Sequence, residues 1–197
     1  MKKSLLLLLT LFLCISVSNA QFTKLGGGLT YTTGFHYNNE TDPFFADLHR
    51  SPFLGIFVSG IYEITLPLHI APSFTYFIPR HNTSATATTG EETSVSSLMF
   101  DFNGHYVFNS LDRFEFYGLA GLDILLTRIK WIGTDSKDND TAIGLNLGVG
   151  TYIKMTEELD FHIEAKYVVS RYDQFMINAG VLINFQWLAQ NERDGGL

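Results

Sequence analysis

The sequence predicts an all-β fold, an eight-stranded antiparallel up-and-down β-barrel, on three observations. Eight segments alternate apolar and polar residues with a period of two, which is typical of strands with two different faces. Short turns and long polar stretches alternate between these segments. Helical periodicity is absent, and a chain of 197 residues with 46% hydrophobic residues is sized for one domain.

The composition excludes several classes of protein. Charged residues make up 17% of the chain, against about 25% in typical soluble domains. The formal net charge of −7 argues against a nucleic-acid partner, because such proteins need a basic surface. A single cysteine excludes an internal disulfide framework.

Residues 1–20 predict a cleaved signal peptide. Lys2 and Lys3 are followed by an apolar run from Leu5 to Val17, and small residues precede a cleavage point after Ala20. The apolar run is shorter than the roughly 20 residues that a transmembrane helix needs. We therefore expect three parts: a signal peptide at 1–20, a barrel domain at 21–187 and a polar C-terminal tail at 188–197.

The alternation is clearest in the last third of the chain. Ile143, Leu145, Leu147 and Val149 share one face, and glycines and Asn146 occupy the other. The eight predicted strands cover residues 24–37, 53–65, 68–80, 97–108, 113–127, 142–154, 159–170 and 175–187. They are longer than the usual strands of soluble proteins and fit a tilted strand that crosses a bilayer.

The connections alternate in length. Short turns are predicted near residues 65–67, 109–112 and 156–158, and long loops at 38–52, 81–96 and 128–141, with a short fourth loop at 171–174. Short turns at one end and long loops at the other are typical of outer-membrane barrels, whose turns are periplasmic and whose loops are extracellular. An even number of strands would place both termini in the periplasm.

The apolar face is predicted to meet lipid, which makes the barrel transmembrane. The alternative is a secreted soluble barrel of the lipocalin kind, with the apolar face inside. Aromatic residues near both ends of the strands favour the membrane, where they form interfacial girdles. The glycine-rich polar face suits a narrow lumen better than a solvated surface.

These features together resemble the small outer-membrane β-barrel domains that are abundant in Bacteroidetes, with the architecture of OmpA/OmpX-type barrels. The resemblance covers residues 22–187 and rests on the signal peptide, Gln21 after it, the eight strands, the loop pattern and the closing aromatic strand from Phe175 to Trp187. It implies a place in the bacterial outer membrane, contact with outer-membrane lipid, and delivery by the barrel-assembly machinery. The polar tail after Trp187 departs from barrels that end at an aromatic residue.

Charged residues on the polar face should pair inside the lumen, because an isolated buried charge is costly. Asp101 and Asp123 lie on adjacent strands at similar heights, and Lys166 is the best-placed cation. The predicted lumen network, a structural hypothesis, comprises Asp101, Asp123, Lys166, Glu164, His162, His105 and Glu63. Separate, water-solvated groups remain the alternative. The histidines could also bind a metal, but a plain polar plug is favoured because no ligand-spacing motif occurs.

We expect a structural or surface-interaction role with a filled, non-porin lumen. Bulky residues predicted to point inward, among them Tyr117 and Tyr152, leave little room for a pore. Two alternatives stay open: a membrane component of a transport or secretion system, and a lipid-modifying barrel enzyme. No catalytic, cofactor-binding or metal-binding residue is predicted. A monomer is expected, and the sequence does not identify a partner for the surface loops.

Overall fold

The computed structural model describes residues 22–34, 36–37, 53–65, 67–83, 92–132 and 137–185. The predicted signal peptide at 1–20 and the tail at 188–197 lie outside these residues. Among the described residues, no helix has the length and hydrophobicity needed to cross a bilayer.

Nearly every described residue belongs to a β-strand. The strands are β1 Phe22–Thr32, β2 His36–Tyr37, β3 Phe53–Thr65, β4 Leu68–Thr83, β5 Glu92–Ser110, β6 Phe114–Ile132, β7 Lys137–Lys154, β8 Leu159–Val169 and β9 Tyr172–Asn184.

Strands β3 to β8 each pair antiparallel with the next strand along the chain, and β1 pairs with both β3 and β9. The last contact closes the sheet, with partners from Lys24↔Asn184 to Thr32↔Met176. The short β2 continues the line of β1 along β9 after a kink at Gly34, whose φ of 94° favours glycine. The predicted closed eight-stranded antiparallel barrel is therefore confirmed.

The two faces of the wall differ as the alternation requires. From Ile143 to Val149 the outward residues of β7 are apolar and exposed, with Leu147 at 57% of its full accessible surface. Inward residues are buried, with Tyr117 at 0%. An apolar band of this extent around the whole barrel is far larger than soluble monomers expose, and it is the surface that a bilayer covers.

Four strands are longer than the alternation predicts. β4 continues to Thr83 instead of residue 80, and β6 continues to Ile132 instead of 127. β5 begins at Glu92 instead of residue 97, and β7 begins at Lys137 instead of 142. Much of the predicted loops at 81–96 and 128–141 is therefore strand. The added residues pair with one another, as in Thr93↔Trp131. Alternation fades there because the outward face of a strand meets water once it leaves the bilayer, so that face is no longer apolar.

The fourth outer connection is also shorter than predicted, because β9 begins at Tyr172. Side chains close this tight turn: the Ser170 N–H donates to Asp173 Oδ1 at 2.8 Å, and the Tyr172 N–H donates to Ser170 Oγ at 2.9 Å.

Elsewhere in the wall, the pairing of β3 with β4 is interrupted between Ser59↔Ser73 and Tyr62↔Ile70, where Pro72 has no N–H to donate.

Leu147→Arg tests whether the apolar face meets lipid. A charge in the middle of the lipid face should cost about 2–4 kcal/mol of unfolding free energy, falling to about 0–1 kcal/mol near the interface. Thr141→Arg lies on the same face of β7, nearer the loop end, and is the matched control. Urea unfolding of the chain in lipid vesicles measures both. Equal tolerance of the two substitutions would contradict a lipid-facing surface.

Candidate functional site

The inward side chains of the barrel form three layers. Along β5, Met99 is followed by Asp101 and Asn103, and along β8, Val168 is followed by Lys166 and Glu164. The layer nearest the long loops is apolar and consists of Phe77, Met99, Leu125, Ala142, Val168, Tyr172 and Met176. The layer nearest the short turns contains Ile61, Ala71, Tyr117, Leu119, Tyr152 and Leu182. Between them lies a polar layer, which we define as Asp101, Asn103, Asp123, Asn146, Glu164, Lys166 and Asn178.

Lys166 is the cation of the polar layer. Its Nζ lies 2.9 Å from Asp101 Oδ1 and 3.9 Å from Glu164 Oε1, and all three side chains are buried. Asp101 also accepts hydrogen bonds from Ser73 Oγ at 2.9 Å and from Asn146 Nδ2 at 2.8 Å. These partners offset the cost of burying the Asp101 carboxylate. Lys166 Nζ is held by the two ion pairs and makes no hydrogen bond of good geometry within the described residues.

Asp123 lies beside this group without joining it. Its backbone pairs directly with Asp101 across β5 and β6, and its side chain is only 1% exposed. The carboxylate leans over Gly144, where a Cβ atom would overlap Oδ1. Among the described residues, neither of its oxygens accepts a hydrogen bond from another side chain. The barrel wall therefore brings Asp123 close to Asp101, and within the described residues no side chain links the two carboxylates.

Glu164 links the polar layer to a group of stacked rings nearer the turns. Tyr117 donates from its hydroxyl to Glu164 Oε2 at 3.1 Å, and His162 Nε2 lies 2.6 Å from the same hydroxyl. The His105 ring stacks on Tyr117 with centroids 4.2 Å apart, and His105 Nδ1 lies 2.6 Å from Tyr152 Oη.

Counting the hydrogen-bond donors of this group indicates which nitrogen of His162 carries a proton. A tyrosine hydroxyl carries a single hydrogen, so when Tyr117 donates to Glu164 its oxygen can only accept from His162. His162 must then carry a proton on Nε2. Asn178 Nδ2 donates to the other Glu164 oxygen at 3.1 Å, and its own oxygen accepts from Thr30 at 2.8 Å. The chain of hydrogen bonds thus runs from β1 through β9 and β8 to β6.

Glu63 lies apart from the other predicted network residues. It lies beside His69, whose Nε2 is 3.9 Å from Glu63 Oε1, and it is half-buried at the turn end. Within the described ranges, no group of three histidine, cysteine or carboxylate side chains has the arrangement of a metal site. The structure therefore brings together Asp101, Lys166, Glu164, His162 and His105, places Asp123 beside them, and separates Glu63.

Several members of the site were not predicted from the sequence. Asn103, Asn146 and Asn178 share the inward face with the charged residues, and that shared face is the signal that could have identified them. The ion pair between Lys24 Nζ and Asp160 Oδ2, at 2.6 Å, depends on the closure of β1 against β9, which no local pattern reveals. This pair borders a cavity of about 110 Å³ at the turn end, which is bounded on the inside by Tyr152.

A second polar group lies at the loop end, outside the lipid-facing belt. Asp140 accepts from the Tyr172 hydroxyl and from Arg171 Nη1, which lies 3.1 Å from Oδ2. Partial burial raises the pKa of the Asp140 carboxyl, but the hydrogen bonds from Tyr172, the Thr141 backbone and Arg171 outweigh it, so the net pKa lies below the ordinary value. This group fastens the β8–β9 turn to β7.

Lys166→Met tests whether the polar layer stabilises the barrel. Removing the cation leaves Asp101 and Glu164 without their charge partner, which should cost about 3–5 kcal/mol of unfolding free energy. Lys154→Met, on an exposed lysine of β7, is the control and should change stability little. Adding Asp101→Asn to Lys166→Met should restore part of the loss. A loss below about 1 kcal/mol would favour separate, water-solvated groups.

Comparison with known proteins agrees with this architecture. Residues 5–185 match the family model described as outer membrane protein beta-barrel domain. Neisserial surface protein A is 18% identical, with a TM-score of 0.60, over 85% of this chain and 99% of that one.

Two further solved barrels show the same fold. OprG of Pseudomonas aeruginosa is 10% identical with a TM-score of 0.55, over 81% of this chain and 93% of that one. Ail of Yersinia pestis is 12% identical with a TM-score of 0.51, over 81% of this chain and 94% of that one. The comparison with curated proteins returns no match. Because the family model spans nearly the whole described barrel, the chain belongs to the outer membrane protein β-barrel domain family.

Proposed function

We propose that this chain is an integral outer-membrane barrel with a structural or surface-interaction role and a filled, non-porin lumen. The observation that carries the proposal is the enclosure of the polar layer between two layers of packed side chains. Met99 and Tyr117, one from each enclosing layer, are both fully buried. An eight-stranded barrel has an interior that side chains fill, so a water-filled channel would need more strands.

The proposal places the activity of the protein on its outside. The apolar band contacts outer-membrane lipid, and the loop end faces the medium in outer-membrane barrels. A structurally similar barrel, Ail, is named an attachment invasion locus protein, which is consistent with surface interaction in barrels of this size. We further propose a monomer of the Bacteroidetes type, which is inserted by the barrel-assembly machinery after cleavage of the signal peptide. The loop partner is unidentified, and no nucleic-acid partner is proposed.

The alternatives differ in what the lumen or surface must do. A transport or secretion component would act through protein contacts, because two layers of packed side chains enclose the polar layer. A lipid-modifying enzyme would need a nucleophile and a base at the outer membrane face. The histidines and carboxylates of the described site are instead buried inside the wall. The proposal therefore includes no enzymatic activity.

Conductance in planar bilayers tests the filled lumen. We expect the folded chain to show no steady conductance, because both enclosing layers would have to separate before ions could pass. Insertion is verified separately by flotation with lipid vesicles and by a gel mobility that changes on boiling. Steady ohmic channels whose number follows the amount of inserted protein would contradict the filled lumen.

Deletion and complementation test the cellular role. We expect loss of the chain to lower tolerance of detergent or bile, and the full chain to restore it. A variant with short Gly-Ser linkers in place of residues 39–51 and 84–91 retains all described strands. Restoration by this variant supports a structural role, whereas restoration by the full chain alone supports interaction through the loops. Unchanged tolerance with an altered lipid A mass spectrum would favour the enzyme.

A further inference from the structure

The outward row of β6 changes character near the loop end. Leu122, Ile124 and Leu126 are exposed apolar residues of the lipid-facing band, and the next two outward residues are Arg128 and Lys130. The outward row of β7 changes at the same height. Ile143 is apolar, and Thr141, Asn139 and Lys137 follow it toward the loop end. Such a boundary is expected where the acyl chains of a bilayer end and the headgroups begin.

Three cations stand just above the boundary on adjacent strands. We name Arg128, Lys130 and Lys137 the basic rim. Lys130 and Lys137 are direct partners across β6 and β7, and Arg128 is the partner of Asn139. Partner residues on one face lie about 5 Å apart, and successive outward residues on a strand about 7 Å apart. All three side chains are exposed. A single phosphate or phosphorylated sugar is therefore within reach of all three.

The charge of the basic rim is not neutralised within the described part of the chain. Like charges directly opposite each other on two strands repel. Among the side chains that the structure describes, no carboxylate forms an ion pair with Lys130 or Lys137. The neighbouring cation Arg171 is already bound to Asp140. A chain of net charge −7 thus places three cations together at one point of its surface.

Arg128 is held in a fixed orientation. Its Nε donates to Asn139 Oδ1 at 2.9 Å, which orients the guanidinium group, and the two terminal nitrogens carry four more donor hydrogens. A guanidinium group with two available donors suits phosphate, which it binds with two parallel hydrogen bonds. Arg128 would therefore orient a bound phosphate, and the two lysines would add positive charge.

We propose that the basic rim binds the phosphate groups of the phosphorylated glycolipid in the outer leaflet. The three side chains leave the wall on its lipid side, in the same rows as Leu126 and Ile143, so the ligand is a membrane lipid and not a soluble anion. Basic residues next to a bilayer attract anionic headgroups. The inference rests on the place of the barrel in the outer membrane and not on the role proposed above.

The experiment measures how many lipid molecules stay bound to the folded full chain in detergent, by native mass spectrometry. The probes are diphosphoryl lipid A, its enzymatically dephosphorylated form, and phosphatidylethanolamine. We expect the diphosphoryl form to bind most tightly and its affinity to fall with added salt, since the attraction is electrostatic. Equal binding of the phosphorylated and dephosphorylated forms would overturn the proposal.

Matched variants assign the effect to the rim. Lys130→Gln with Lys137→Gln removes two cations, and we expect affinity for diphosphoryl lipid A to fall by roughly five-fold for each lysine. Arg113→Gln with Lys154→Gln removes the same charge from exposed residues at the turn end and should leave affinity unchanged. Equal losses in the two double variants would overturn the proposal, because they would indicate a general effect of net charge.

Two further arms keep the outcome decisive. Inorganic phosphate at millimolar concentration should not displace the lipid, and displacement would indicate a site for soluble anions and overturn the proposal. Lys130→Arg with Lys137→Arg retains the charge and should retain affinity within about two-fold. If the glutamine variant fails to fold, as judged by gel mobility before and after boiling, the lipid comparison on the unmodified chain decides the question alone.

Discussion

The closure of β1 against β9 is the constraint on which the rest of this structure depends. In hydrocarbon no water is available to satisfy an open sheet edge, so every strand needs a partner on both sides. With eight strands, closure fixes a narrow interior. Every inward side chain then competes for the same small volume. Gly144 and Gly150 illustrate the result, because a Cβ atom at either position would overlap Asp123 or Tyr117 from the neighbouring strand.

A narrow interior also determines how charge is handled. Lys166 cannot reach bulk water past either enclosing layer, so its charge must be matched inside, by Asp101 and Glu164. Each carboxylate in turn has amide or hydroxyl donors from other strands. The pairs connect strands that are distant in sequence, as Asn146 and Asp101 do. Such a network favours a single register of the strands. If one strand slipped by one residue, its members of the network would turn toward lipid.

The sequence predicts the wall well and the interior only in part. Strict alternation in 142–154 identifies which side chains face inward, since the period of a strand is local. It does not reveal which inward residues meet, because Lys166 and Asp101 are joined through the stagger of a closed sheet. The short turn between their strands predicts that Asp101 and Asp123 lie at the same height, and the two are direct partners. Glu63 lies on the same inward face, but register places it beside His69, away from Lys166.

The predicted strands end before the observed ones, and the basic rim lies just beyond the predicted ends. Both facts have the same physical cause. Alternation exists because one face of a strand meets lipid, so it stops where the bilayer stops. β6 passes that point after Leu126 and continues as a strand to Ile132, and the first two outward residues beyond Leu126 are Arg128 and Lys130. A pattern based on hydrophobicity therefore ends the strand at the membrane surface. The pattern assigns the residues after that point to a loop. In the structure they belong to the hydrogen-bonded sheet and lie at the level of the lipid headgroups.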